Sequence, residues 1–418
     1  MTRRASPTPP EPLARALRDE PEDDEAWQVL ADWLVEHGDP RGDLVAERAL
    51  EAADAVDRPE LRDRVVAVRA TCAEQIPDAL GVPPQTGLHR RHGFLVGVGL
   101  QPWDDARRGF LRRLLAHPSA TLLRTVEIGE SDLDEDGVAA LLEIPGCERL
   151  RVLRLRGGRL TPPALAALAS DPKLAELFTL DLANSQLTTR VARRLADEAP
   201  PRWVRHLHLG GNALDDEGLV AIAASPMANH LTALDLSRND IGPSGIQEAF
   251  GTGSLASLQD LQLADNPIGD EGLESLARGA CELRELRLSR TELTQAAGEI
   301  LGKADSLGKV ETLQLSFNAL GPEGTRALVN SPNVARLRVL DLNHNAIGDP
   351  GVLAIAASSR LGALRRLYLN GNGIGRRGAR GLARARSLAG LEHLGLWGNP
   401  LEVVGLEVRR ILAELSGQ

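Results

Sequence analysis

The chain has little of what most catalytic or ligand sites are made from. It has three cysteines, Cys72, Cys147 and Cys281, an odd number spread far apart. That excludes a disulfide framework, a zinc-ligand spacing and a redox pair, and predicts buried free thiols. Aromatic side chains are scarce, with five Phe, five Trp and one Tyr in 418 residues. Lysine is nearly absent: Lys173, Lys303 and Lys309 are the only three among 48 basic residues, which reads as a coding preference for arginine. No apolar run approaches the ~18 residues of a membrane-crossing helix. Met1–Pro12 has no apolar core of a secretory signal, so the cytoplasm is the expected compartment and a membrane is not an expected partner. There is no phosphate loop, nucleophile elbow, zinc-protease helix or cysteine–histidine pairing, so we expect no enzyme, cofactor or resident metal.

What the chain does have is a period. The pattern L/V-x-x-L-x-L-x-x-N-x-L starts at Leu123, Leu150, Leu177, Val204, Leu231, Leu258, Leu283, Val310, Leu337, Leu364 and Leu391. Every step is 27 residues except the 25 from Leu258 to Leu283, and a looser copy starts at Leu95. A fixed period over most of a chain predicts a solenoid whose coils share one extended core. With the first apolar residue as slot 0, slots 3 and 5 are apolar throughout, which predicts a short strand with one buried face. Slot 8 is Asn in seven copies (Asn212, Asn239, Asn266, Asn318, Asn345, Asn372, Asn399). An amide there can satisfy backbone groups that lose their ladder partners as the chain turns. Ser131, Gly158, Ser185 and Thr291 replace it elsewhere, which predicts looser or water-bridged turns. Slot 11 offers helix caps and slot 12 the prolines Pro162, Pro243 and Pro322. Slot 14 is Gly in eight copies but Val191 in one, so close packing between coils explains it better than a positive φ.

This strand–turn–helix form resembles the ribonuclease-inhibitor-like leucine-rich repeat over residues 95–418. The resemblance implies an α/β solenoid, a horseshoe with a parallel concave sheet and outer helices, in about eleven to twelve units. The low cysteine count does not support ribonuclease inhibition. Before it, residues 1–12 read as a disordered tail, 13–80 as an all-helical head and 81–94 as a connector. Helices are expected over Leu13–Glu20, from the capping Asp23 or Asp24 through Leu34, over Asp43–Ala55 and over Pro59–Gln75. The string Ala31-Asp32-Trp33-Leu34-Val35-Glu36-His37-Gly38-Asp39-Pro40-Arg41-Gly42 resembles a bacterial repeat-companion domain, which implies association with repeats and no activity. Val403–Leu415 reads as a terminal capping helix.

Charge is unevenly placed. Residues 1–80 carry 10 basic and 19 acidic residues, a net of −9 in a chain of −10 overall. A near-neutral body with an acidic head argues against nucleic acid as a partner. Arg90, Arg91, Arg107, Arg108, Arg112 and Arg113 in the first coil are expected near that head. Slots 2, 4, 6 and 7 face outward from the sheet. One row holds Asp181, His208 and Asp235 with His206 nearby, a possible metal constellation that a hydrogen-bonded polar row explains better. The C-terminal rows gather Phe317, Asn343, His344, Arg366, Tyr368, Asn370, His393 and Trp397. Aromatics beside Arg and Asn are typical anchors of protein interfaces. We therefore expect a non-catalytic scaffold that binds a partner protein there. A GTPase-activating regulator and a self-assembling module are the alternatives. Arg376, Arg377, Arg380, Arg384 and Arg386 form a basic stretch, read as a solvated helix face that could also meet an acidic partner, including the head of another molecule in weak self-association.

Overall fold

The computed structural model describes residues 8–39, 41–42, 80–92, 94–197, 204–279 and 281–400, with the side chains of 195–197 excepted. The expected helices over 43–55 and 59–75, Cys72 and the expected cap over 403–415 lie outside these residues. The chain forms two compact units, Met1–Ser185 and Gln186–Gln418.

The first unit opens with helices α1 (Glu11–Asp19) and α2 (Asp24–Glu36). Helix α1 begins inside the stretch read as a tail. The Asp23 carboxylate caps α2 by accepting from the N–H groups of Glu25 and Ala26, at 2.9 and 3.1 Å. Trp27, Leu30, Ala31 and Leu34 form the buried face of α2, as their helical spacing predicts. They pack with Ala14 and Leu17 of α1 and with Phe94 and Leu122 of the first coil, so the helices share a core with the repeats. The stretch read as a connector contains strand β1 (Gly87–Arg91), paired antiparallel with β2 (Phe94–Leu100). Strands β3 (Thr125–Gly129), β4 (Val152–Arg156) and β5 (Thr179–Asp181) then add in parallel. Between them run helices α3 (Asp105–Ala116), α4 (Glu135–Leu142) and α5 (Pro162–Ser170), capped by the side chains of Asp104, Asp134 and Thr161.

Among the described residues, Arg91 and Arg113 of the first-coil arginine cluster reach the head, Arg113 by donating to the Leu80 carbonyl at 3.0 Å. Arg91 donates to the Glu22 carboxylate, whereas Arg107 and Arg108 bond Asp104 and Asp105 of their own helix. Among the described residues, further ties come from slot 1 of the next coils. Arg124 donates to the Arg18 carbonyl at 2.9 Å, and buried Arg151 bridges Asp19 and Glu176. In return, Arg18 donates to the Thr121 carbonyl at 2.7 Å.

The second unit begins with α6 (Thr189–Asp197) and repeats a three-residue strand and a helix. Its strands are β6 (His206–His208), β7 (Ala233–Asp235), β8 (Asp260–Gln262), β9 (Glu285–Arg287), β10 (Thr312–Gln314), β11 (Val339–Asp341), β12 (Arg366–Tyr368) and β13 (His393–Gly395). Each pairs in parallel with the next, slot 2 opposite slot 2. The helices are α7 (Asp216–Ala224), α8 (Pro243–Gly251), α9 (Gly269–Arg278), α10 (Ala296–Lys303), α11 (Gly321–Asn330), α12 (Gly348–Ala357) and α13 (Arg376–Leu382). The 25-residue step leaves strand register untouched, because Asp260 still faces Glu285. The two missing residues come out of the return from α9.

Leucines of slots 3, 5 and 10 are buried in coil after coil, for example Leu207, Leu209 and Leu214. Each buried leucine contributes roughly 1.5–3 kcal/mol, which is how repeats too thin to fold alone hold together. The slot-14 glycines lie where neighbouring helices touch. A Cβ on Gly245 would sit 2.7 Å from the Asp216 Cα, and one on Gly324 2.7 Å from the Gln295 carbonyl oxygen. Neither glycine has a positive φ, so close approach is the cause, as the valine at slot 14 implied.

Candidate functional site

The polar slot behind each strand builds the frame for the exposed ones. In all seven asparagine coils the Oδ1 accepts the slot-10 N–H of the preceding coil, as Asn239 does from Leu214 at 3.0 Å. The Nδ2 donates to a slot-5 carbonyl of its own coil, the preceding one or both. The expectation of looser turns is corrected at two of the four substituted coils, those of Ser185 and Thr291. Ser185 and Thr291 are buried, and their hydroxyls donate at 2.7 Å to the slot-5 carbonyls of Leu155 and Leu288. A hydroxyl does half of the amide's work, because it keeps the donor.

Slot 7, just before the asparagine, is the feature that sequence reasoning missed. Its backbone is left-handed in every coil: Glu130, Gly157, Asn184, Gly211, Arg238, Asp265, Arg290, Phe317, His344, Gly371 and Gly398 all have φ between 46° and 76°. The signal was present, since four of these are glycine and Asn184 and Asp265 are types that tolerate this region. The left-handed turn throws successive slot-7 side chains into a row. In the second unit Arg238 and Arg290 each lie 3.7 Å from Asp265. The Arg290 guanidinium sits 4.0 Å over the Phe317 ring, and His344 stacks against Phe317 with centroids 4.3 Å apart and planes 14° apart. Phe317 is still 44% exposed.

The other residues of the expected patch form a second group in slots 2, 4 and 6. Tyr368 and His393 approach with centroids 5.0 Å apart. The Asn343 Oδ1 accepts the Asn370 N–H, and the Asn370 Oδ1 accepts the Trp397 N–H, both at 2.6 Å. These amides hold the backbone from coil to coil. Trp397 is 82% exposed at the end of that chain. Arg366 is exposed and makes no ion pair among the described residues. The structure therefore brings the patch together as two aromatic pairs, Phe317–His344 and Tyr368–His393, plus a protruding indole. Arg290 is the residue that the sequence reading omitted.

Further along the same face is a charged network. Burial pushes the Asp235 carboxyl up, but bonds from His208 and Ser237 outweigh it and hold it below the usual carboxylate range. Burial pushes Asp260 above that range against the pull of Arg287, whose Nη1 is 3.5 Å away. Burial, then the neighbouring His208, keeps His206 below the usual imidazole value. Among the described residues no group of three or more His, Cys, Asp or Glu side chains could hold a metal ion. Buried Cys147 and Cys281 have thiols pushed up by burial to about 12 and about 11, far from the thiolate form a nucleophile needs. No helix among the described residues is long and apolar enough to cross a membrane.

Residues 201–223, 228–248, 254–277, 309–329, 337–356 and 364–383 match the family model for the leucine-rich repeat. No curated protein matches the chain. Among solved structures it is similar to an internalin from Listeria monocytogenes, with a TM-score of 0.48 and 18% identity over 83% of this chain and 93% of that one. It is also similar to the ectodomain of the Arabidopsis receptor kinase HAESA, solved with an N-terminally extended IDA peptide hormone. There the TM-score is 0.38 and the identity 19%, over 62% of this chain and 40% of that one. The matched segments fall on the strand–turn–helix coils described above, so the chain carries leucine-rich repeats and its fold is a leucine-rich-repeat α/β solenoid.

Proposed function

We propose that this chain is a non-catalytic scaffold that binds a partner protein on the exposed sheet face, centred on Phe317, Asn343, His344, Arg366, Tyr368, Asn370, His393 and Trp397. The observation that carries the proposal is Trp397, an indole 82% exposed, one coil along from Tyr368 and from Arg366, which has no ion-pair partner among the described residues. Large aromatic and arginine side chains dominate the energetics of protein interfaces. Phe317 gripped by Arg290 and His344 is held in place before binding, which lowers the ordering cost that association must overcome. The repeats are read as the ribonuclease-inhibitor-like type, which the helix in each coil supports. The head is read as a repeat-companion domain, and the cytoplasm as the place of action.

The test is affinity capture from the native cell with the whole chain and with Y368A/W397A. The double variant should lose the partner, by about 2 kcal/mol or more of binding free energy for anchor residues, with an unchanged melting curve. Capture of the same partner at equal affinity by the variant would move the interface elsewhere.

A further inference from the structure

The second unit contains one region of extreme charge. From Pro350 to Leu391 there is no Asp or Glu, and there are eight arginines, in a chain of net charge −10. Arg376, Arg377, Arg380, Arg384 and Arg386 are all exposed, on α13 and the turn that follows. None forms an ion pair with any described residue, whereas Arg365 reaches Glu392 at 3.8 Å. Arg376 and Arg380, at i and i+4, lie one turn apart on one face of α13, and Arg384 follows in the turn just past its last residue. The opposite face of α13, Gly378, Ala379 and Leu382, is buried against the solenoid.

The complementary surface lies on the same chain. Residues 1–80 carry a net −9. On α2 the residues Glu25, Gln28, Val29, Asp32, Val35 and Glu36 follow a single helical stripe, opposite the buried Trp27, Leu30 and Leu34. Glu25, Asp32 and Glu36 are exposed and have no ion-pair partner among the described residues. Val29 and Val35, at 52% and 61% exposure, are large apolar side chains left open to water between those acids. Other acids near the head are engaged within the first unit, as Asp19 and Glu176 are by Arg151, so the stripe on α2 is set apart from the charges that tie the head to its own coils.

We propose that the arginine face of α13 is the docking surface for the acidic, valine-bearing face of α2 from a second copy of this chain. The two surfaces differ from one another, so the contact is head-to-tail, giving a ring where the rotation closes and an open filament where it does not. This association is separate from the sheet-face site, because it uses the helix side of the coils. A phosphate polymer is the competing occupant of an arginine face, but the remaining −18 of the chain repels polyanions at low salt.

The test is the mass of the whole chain by light scattering and sedimentation, at ionic strengths of about 0.01 M and about 1 M, where the screening length falls from about 30 Å to about 3 Å. At low salt and rising concentration the mass should climb to at least twice the 44.8 kDa of one chain, and return to it at high salt. R376E/R380E/R384E should remain monomeric at low salt, as should E25R/D32R/E36R. Mixing the two variants should restore association, because each then offers the other a complementary face. R376Q/R380Q/R384Q, which removes charge without reversing it, should weaken association at least about 10-fold, the change expected when several charge pairs are lost at once. A concentration-independent 44.8 kDa species at low salt overturns the proposal. So does association that survives both reversals, or a monomer whose arginine face binds a short RNA or DNA.

Discussion

Replacing Asn345 measures what the slot-8 amide contributes. Asn345 is fully buried. Its Nδ2 donates to the Leu315 and Asn343 carbonyls at 2.8 and 3.1 Å, and its Oδ1 accepts the Leu320 N–H at 3.3 Å. In N345A the Leu315 carbonyl keeps one bond, from the Asn318 Nδ2 at 3.0 Å, so the largest loss is the stranded Leu320 N–H. An unmet buried backbone group costs about 1–3 kcal/mol, and the vacated volume adds to that, giving an expected loss of about 2–4 kcal/mol. N345T should cost less, about 1 kcal/mol, for a reason visible two coils earlier. There Thr291 keeps the donor through its hydroxyl, and the slot-10 N–H of Ile268 turns onto the Asn266 carbonyl at 2.9 Å. That turn is followed by Gly269 in a left-handed conformation, and Gly321 after Leu320 has the same geometry, with φ of 58° and 60°. Denaturant melts at unchanged slope, together with the hydrogen-exchange rate of the Leu320 amide, check both values. If N345A and N345T lose the same stability, or N345A stays within about 0.5 kcal/mol of the parent, the amide does not act as described.

Two further substitutions probe the frame and the charged network. G324A places a Cβ 2.7 Å from the Gln295 carbonyl oxygen and should cost about 1–3 kcal/mol by overpacking, read as a lowered melting midpoint, whereas A297G at the same slot should not create a clash. Asp235 and Asp260 should respond to pH in opposite senses. The folded pKa of Asp235 is depressed, so its contribution is present above the unfolded value and lost as pH falls through the folded one. D235N should cost about 1–2 kcal/mol at pH 7 and progressively less in acid. The folded pKa of Asp260 is raised, so its charge works against the fold as pH rises through that value. D260N should be neutral or slightly stabilising at pH 7, and melts of both variants from pH 7 to pH 3 distinguish these outcomes.

Much of this architecture was legible because its determinants recur. Leucines at slots 3, 5 and 10 and asparagine at slot 8 appear often enough to reveal what they bury and bond. Val191 at slot 14 ruled out a conformational role for its glycines. The head was less legible. Which arginine reaches it depends on distances between coils, so Arg124 and Arg151 take roles expected of Arg107 and Arg108. Strand β1 was hidden in a stretch rich in Gly and Pro, where pairing with β2 overrides weak local preference. At the candidate site, composition pointed to Tyr368 and Trp397, but nothing local to Arg290 announces that it caps the Phe317 ring. That contact exists because a left-handed backbone recurs at one slot in adjacent coils.

That recurring conformation also sorts the coils by the strain each one accepts. Glycine occupies it without strain, whereas a bulky side chain at positive φ costs of order 1 kcal/mol or more. Phe317 and His344 hold φ of 58° and 53°, so the backbone at each carries strain that a glycine there would not, set against the ring contacts the two side chains make. A substitution such as F317G should relieve backbone strain while erasing the stacked row. The row thus behaves as a keyboard with some keys held down: at Gly398 a Cβ would meet nothing nearer than 3.6 Å, so a new side chain there meets chiefly the strain of its φ, whereas at Gly371 a Cβ would sit 2.3 Å from the His344 ring. The side chains already raised mark where this surface departs from the conformation its backbone would adopt most easily.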